Sequence, residues 1–282
     1  MRAWEPFKVI PIRLFGTNKT SPQDNEGKEY GRKNVSGGNC LDTVRGCPFG
    51  TRPPKSVVPQ QEGRGCWGIC YSQEAMKRFH RLFDIPVGME LREDLLRKDL
   101  TELDDDWVRI GVNGEPSCDW ELTIKVASIC AEAGKRVVIL TRLFQKPSDE
   151  QLKVMSGLGV VLSFSMSGLD EDWGGVAVGE RYGEMKGKAV VRLVSFAFSD
   201  NHLKARQDLL AHLCWLSGLE IIEQPARLLR TNPLLEKCDL SKYRPYHSYV
   251  SAKDTKWLSA GVQLYHGSVC EGFCPACQLK CG

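Results

Sequence analysis

Apolar positions change period repeatedly along the chain, and the changes predict alternating strands and helices. The pattern is clearest after residue 106. Residues 107–111 form a short apolar run that stops at Asn113-Gly114, a turn signal. Asp119 can cap a helix over residues 120–133, where Ile124, Ala127, Cys130 and Ala131 share one side and Gly134 follows the last turn. Residues 136–141, RVVILT, have the continuous apolar character of a buried strand. Ser148 and Gln151 have the spacing of a capping box, opening a helix that ends near Gly157. Residues 159–165 and 189–195 are further strands. Asn201 begins a helix over residues 202–216, and residues 219–223 are a final strand.

Upstream the periodicity is weaker. Residues 8–15 fit a short strand, and residues 17–31 are polar and turn-rich. Residues 35–44 include a first core strand. Pro53, Pro54 and Pro59 oppose regular structure before Cys66. Ser72 then caps a helix over residues 73–83, with Met76, Phe79, His80 and Phe83 on one face. Leu95, Leu96, Leu100 and Leu103 are spaced for a helix or two short turns. Strand–helix alternation over residues 107–223 predicts an α/β fold with a parallel sheet of about six strands. An open barrel fits that count, and a doubly wound sheet is the competing architecture. In both, the loops at the carboxyl ends of the strands build the site. The chain divides into an N-terminal arm (1–33), an α/β core (34–227) and a cysteine-rich extension (228–282).

Composition narrows the class. Hydrophobic residues make up 42% and charged residues 26%, so a packed globular core is expected. A net charge of +3 is too small to argue for nucleic acid by itself. No apolar run approaches the roughly 20 residues that cross a bilayer, and the N-terminus lacks an export signal, so a cytoplasmic protein is expected. Twelve cysteines in that setting favour metal ligation or reduced thiols over a disulfide scaffold. Eight fall in two groups: Cys40, Cys47, Cys66 and Cys70, then Cys270, Cys274, Cys277 and Cys281. Clustered thiolates suit zinc, copper or iron–sulfur centres. Cys130 and Cys214 are expected as packed thiols, and Cys238 as a weaker alternative ligand.

The arrangement resembles the radical S-adenosylmethionine superfamily over roughly residues 34–227. Gly46-Cys47-Pro48 and Cys66-Trp67-Gly68-Ile69-Cys70-Tyr71 look like two halves of its cluster motif, with 18 residues between Cys47 and Cys66. The last pair has three intervening residues where the family has two. Gly111-Val112-Asn113-Gly114-Glu115-Pro116 resembles the family's glycine–glutamate element after the second strand, with Asn113 in place of a glycine.

The resemblance implies a partial parallel (β/α)6 barrel. It also implies that Cys47, Cys66 and Cys70 hold three irons of a [4Fe–4S] cluster, leaving the fourth to S-adenosylmethionine. Reductive cleavage would then give a 5′-deoxyadenosyl radical. Cys40, seven residues upstream of Cys47, is the alternative ligand. Asn113, Gly114 and Glu115 are expected at the cofactor's amino group, with Thr141-Arg142, Ser163, Ser165 and Ser167 in reach of ribose and carboxylate. Arg192 sits inside an apolar strand pattern and needs a carboxylate partner, which the cofactor offers. Sheet-edge serines and a structural salt bridge are the plainer alternatives. Glu223 and Arg227 either face substrate or pair with each other. The terminal four cysteines fit a second [4Fe–4S] cluster, with zinc as the alternative. They could relay electrons, bind substrate or fasten the extension over the core.

The expected activity is modification of a peptide, protein side chain or small metabolite by hydrogen abstraction, supplied by an electron donor. Nucleic-acid base modification is a second enzyme reading. A zinc-stabilised module that binds protein or RNA without redox chemistry is the third.

Overall fold

The computed structural model describes residues 40–48, 86–170, 172–246, 249–252, 258–264 and 268–269. Cys66, Cys70, the helix expected over residues 73–83, and the four terminal cysteines lie outside the described residues, as does the N-terminal arm.

One parallel sheet organises these residues. Its strands are β1 (Cys40–Leu41), β4 (Trp107–Ile110), β5 (Arg136–Thr141), β6 (Val161–Ser167), β7 (Lys188–Ser195), β8 (Glu220–Pro225) and β12 (Ser268–Val269), in that spatial order. Every neighbouring pair is parallel. Among the described strands the order does not reverse, whereas a doubly wound sheet must reverse at its switch point. A short antiparallel pair, β2 (Val44–Arg45) with β3 (Val87–Gly88), lies beside this sheet.

The crossovers are α1 (Glu93–Thr101), α2 (Trp120–Glu132), α3 (Asp149–Gly157), α4 (Gly175–Glu184) and α5 (Asn201–Leu216). The caps expected at Asp119 and Ser148 are present, whereas the helix expected to begin at Asn201 is capped one residue earlier by Asp200, whose side chain accepts from His202 N–H and Leu203 N–H. Asp119 accepts from the Leu122 N–H, and Ser148 and Gln151 complete the capping box. Gly134 takes φ +73° beyond α2. The helix α4 had no strong sequence signal, because its GVAVGERYGE is rich in a poor helix former. Packing supplies the reason for one glycine: a Cβ at Gly179 would lie 2.9 Å from the Phe164 ring.

Side chains alternate across each strand, so neighbours in sequence serve different environments. Val137, Ile139, Leu162, Phe164, Val191, Leu193 and Ile221 join the helices in the main core. Val138, Leu140, Val161, Val190 and Ile222 form a separate cluster on the opposite face, with Val112 packed against it. No described helix contributes to that second cluster, yet these residues are buried. Cys130 and Cys214 are packed thiols of the main core, and burial pushes both up to about 12.

After β8 the chain turns back over the carboxyl ends of the strands. Leu228, Leu234, Cys238 and Tyr243 pack with Leu169, Phe196, Ala197 and Phe198 in a smaller core. There β9 (Leu228–Leu229), β10 (Tyr243–Tyr246) and β11 (Tyr249–Ala252) form an antiparallel sheet. Tyr243 Oη accepts the Ala197 N–H at 2.9 Å, fixing this cover to the end of β7. A short helix, α6 (Ala260–Leu264), then packs on α5 and leads to β12. No helix among the described residues is long and apolar enough to cross a membrane.

Candidate functional site at the carboxyl ends of the strands

The first cysteine segment and the glycine–glutamate turn meet at one rim of the sheet. The β1–β4 ladder ends where Gly111 N–H donates to Leu41 O at 3.0 Å. Beyond it the Asp42 side chain takes over: Oδ1 accepts from Val112 N at 2.8 Å and from Asn113 N at 2.9 Å. Gly46 N–H then donates to Asn113 O at 3.3 Å, and Glu115 N–H to Gly46 O at 2.9 Å. This is a parallel bridge between Gly46 and Gly114. In such a bridge the two flanking residues of one strand bond to the central residue of the other. The N–H and C=O of Gly114 itself therefore point away from Gly46, and neither meets a partner among the described residues.

Glycine at two positions lets the turn pack closely, Gly111 on β5 and Gly114 on the segment before Cys47. Gly111 has φ +92°, and a Cβ there would lie 2.3 Å from Leu140 O. A Cβ at Gly114 would lie 1.7 Å from Val44 O. Cys47, which follows Gly46, is buried. Cys40 is buried within β1, paired in register with Arg109.

Glu115 fastens the turn from inside. Its carboxylate accepts from Ser117 N at 3.2 Å and Ser117 Oγ at 2.6 Å. It also accepts from Thr141 Oγ1 and from Arg142 N, the latter at 2.8 Å. Burial raises its pKa, and these four donors work against that rise. Both oxygens are thus engaged within the protein, so Glu115 holds the loop. Thr141 accepts in turn from Leu143 N at 2.8 Å, steadying a non-glycine residue at φ +54°. Arg142 reaches Asp170 Oδ1 at 2.5 Å, and Asp170 Oδ2 accepts from Ser167 N at 2.7 Å. Ser167 Oγ accepts from Leu169 N at 2.9 Å. Thr141 and Ser167 are committed to loop structure.

Ser163, Ser165 and Arg192 differ. Alternation puts all three on the helix-free face, and Ser165 is the register partner of Arg192. Ser163 Oγ and Arg192 Nε are buried without a hydrogen-bond partner among the described residues. Such orphaned groups are costly, and a ligand's acceptor atoms would satisfy them. The sheet thus brings Ser165 and Arg192 side by side on the helix-free face.

Glu223 does not flank this face. It shares the helix side with Ile221, and its Oε1 accepts from Leu258 N at 2.9 Å and Ser259 N at 2.7 Å. Burial raises its pKa. It fastens the segment before α6, and no ion pair with Arg227 is formed among the described residues. Cys238 lies in the smaller core beside Tyr243, and burial pushes it up to about 11. That environment disfavours the thiolate a metal needs.

Asp42 and Asp170 carry no motif, and sequence reasoning missed both. Their one signal is position: each is an acid just past the end of a strand, where unpaired loop amides collect. Among the described residues no three His, Cys, Asp or Glu side chains group as a metal site. Of Cys47, Cys66 and Cys70, expected together as cluster ligands, Cys47 alone lies among the described residues. Comparison of the chain with family models, curated proteins and solved structures gives no match.

Proposed function

We propose that the chain is a radical S-adenosylmethionine enzyme acting on a peptide, protein side chain or small metabolite. The observation that carries this reading is the Gly46–Gly114 bridge. It sets the residue before Cys47 against the turn of Asn113, Gly114 and Glu115, and it turns the backbone N–H and C=O of Gly114, which meet no partner among the described residues, away from Gly46. A [4Fe–4S] cluster held by Cys47, Cys66 and Cys70 would supply the electron that cleaves S-adenosylmethionine to its 5′-deoxyadenosyl radical.

The chain's own residues then divide the remaining work. Gly114 C=O accepts from the cofactor's ammonium group. Ser165 and Arg192 receive its carboxylate, relieving the orphaned Arg192 Nε. Asn113 lines the same turn, while Glu115 fixes it from behind. The sheet curls as a partial (β/α)6 barrel, with the helix-free face inward. Its burial without a described covering helix supports that curvature. The cover built from β9 to β11 closes the ends of β6 to β8, leaving substrate to approach beside β1, β4 and β5. Cys270, Cys274, Cys277 and Cys281 hold a second [4Fe–4S] cluster in this reading, with zinc as the alternative occupant, and an electron donor is the required partner.

Anaerobic reconstitution tests the assignment. The parent should bind about eight irons per chain, from two four-iron units, and should cleave S-adenosylmethionine when reduced. Cys47→Ser, Cys66→Ser and Cys70→Ser should each lose cleavage while keeping the terminal cluster, because serine is a poorer soft-metal ligand. Cys40→Ser should retain cleavage. Loss in the Cys40 variant with normal turnover in the Cys47 variant would reverse those two roles. Stoichiometric zinc with no iron-dependent absorption would replace the enzyme by a metal-stabilised binding module.

A further inference from the structure

Asp42 is a buried carboxylate that the proposed chemistry does not use. It sits two residues past Cys40 and five before Cys47, just beyond the end of β1. Its Oδ1 holds the amides of Val112 and Asn113, 70 and 71 residues away. Those two amides lie between the last ladder bond, at Gly111, and the bridge at Gly114. Leu41 O, Asp42 Oδ1 and Gly46 O therefore fix Gly111, Val112, Asn113 and Glu115 in succession. Gly114 alone keeps both backbone groups outward. Gly46 holds the two peptide planes that flank Gly114, through Asn113 O and Glu115 N–H, and Asp42 pins the two planes before them, so the turn that delivers Gly114 to Gly46 is anchored on its N-terminal side through Asp42.

We propose that Asp42 is a positioning residue for the amino-acid end of the cofactor: it orients the glycine turn so that Gly114 presents its backbone to the ligand's ammonium group. The inference rests on the cofactor reading above. It adds that the methionine portion, and not the adenosine portion, is what Asp42 controls. A residue needed only for folding would affect both portions alike.

The test compares two nucleosides by calorimetry on the anaerobic, reconstituted full chain. S-adenosylhomocysteine carries the amino-acid end, and 5′-methylthioadenosine lacks it. In the parent the first should bind more tightly than the second. Asp42→Ala should weaken S-adenosylhomocysteine roughly tenfold, the scale of one lost charge-assisted hydrogen bond to an oriented group, and leave 5′-methylthioadenosine unchanged. Asp42→Asn keeps an Oδ1 acceptor in place and should recover most of that loss. It also serves if the alanine variant does not fold, with a smaller loss still confined to S-adenosylhomocysteine. Amide exchange at Val112 and Asn113 should accelerate in Asp42→Ala. Equal weakening of both nucleosides, or no weakening in either variant, overturns the positioning role while leaving the cofactor reading intact. A parent that binds neither nucleoside overturns both.

Discussion

Buried carboxylates at this rim act on backbone more than on other side chains. Asp42 holds two amides of the next strand's loop, and Glu115 holds one amide and two hydroxyls besides its own Ser117 amide. Glycine supplies the complementary feature, room for backbone to meet backbone. Gly114→Ala tests this directly. The added Cβ would sit 1.7 Å from Val44 O, which is main chain and cannot swing aside. The variant should lose about 1–3 kcal/mol of stability, the usual cost of overpacking, and should weaken S-adenosylmethionine binding as the turn is pushed from Gly46. Thermal unfolding beside calorimetry reads both effects. An unchanged melting temperature would mean that the two segments separate easily.

Elements follow a division of labour set by alternation. One face of each strand belongs to the helices, and the other carries Ser163, Ser165 and Arg192. The antiparallel cover depends on a different contact, the Ala197 N–H donated to Tyr243 Oη in a buried setting. Tyr243→Phe leaves that amide without its acceptor, at a cost of roughly 1–3 kcal/mol. The cover should loosen before the main sheet does. Limited proteolysis should then cut within residues 228–252 faster than in the parent, with the parallel sheet's far-ultraviolet signal retained. Equal cleavage rates in the two proteins would assign the cover's attachment to apolar packing alone. Pro245 has a further consequence here, since it removes a backbone donor from β10 at the edge of this small sheet and discourages pairing with another chain.

Stability of the whole molecule should carry the mark of these buried acids. Burial raises Asp42 from 3.8 to about 6, and it raises Glu115 and Glu223 as well. An acid whose pKa is higher folded than unfolded binds more protons in the native state between the two values. Unfolding free energy then falls as pH rises through that window. Asp94, Asp149 and Asp200 are lowered by partners, so their contribution is lost on acidification below the ordinary value. The urea midpoint should therefore decline from about pH 4 to about pH 6.5, and Asp42→Asn should flatten the decline. A midpoint that rises over this range would contradict the assigned direction. The fold accepts this cost near neutrality because the ionised carboxylate is the better acceptor for loop amides.

Local chemistry written in the sequence was enough for the helix starts at Asp119 and Ser148, the left-handed glycine after α2, and the apolar strands from residue 107 onward. These features depend on residues within a few positions of one another. The parallel α/β class follows from their alternation. The glycine–glutamate turn after β4 was also legible, because Asn113-Gly114 is a turn signal at the end of an apolar run. What lay beyond the sequence depends on distance along the chain. The order of the described strands, which does not reverse, came only with the tertiary structure, and it placed Ser165 beside Arg192 across a crossover. Period-two alternation, once the core face was known, separated Glu223 from the helix-free face. The glycine-rich helix α4 forms because close packing outweighs weak propensity. Asp42 acquires its role only when β1 and β4 lie side by side, since its two amides arrive from 70 and 71 residues away.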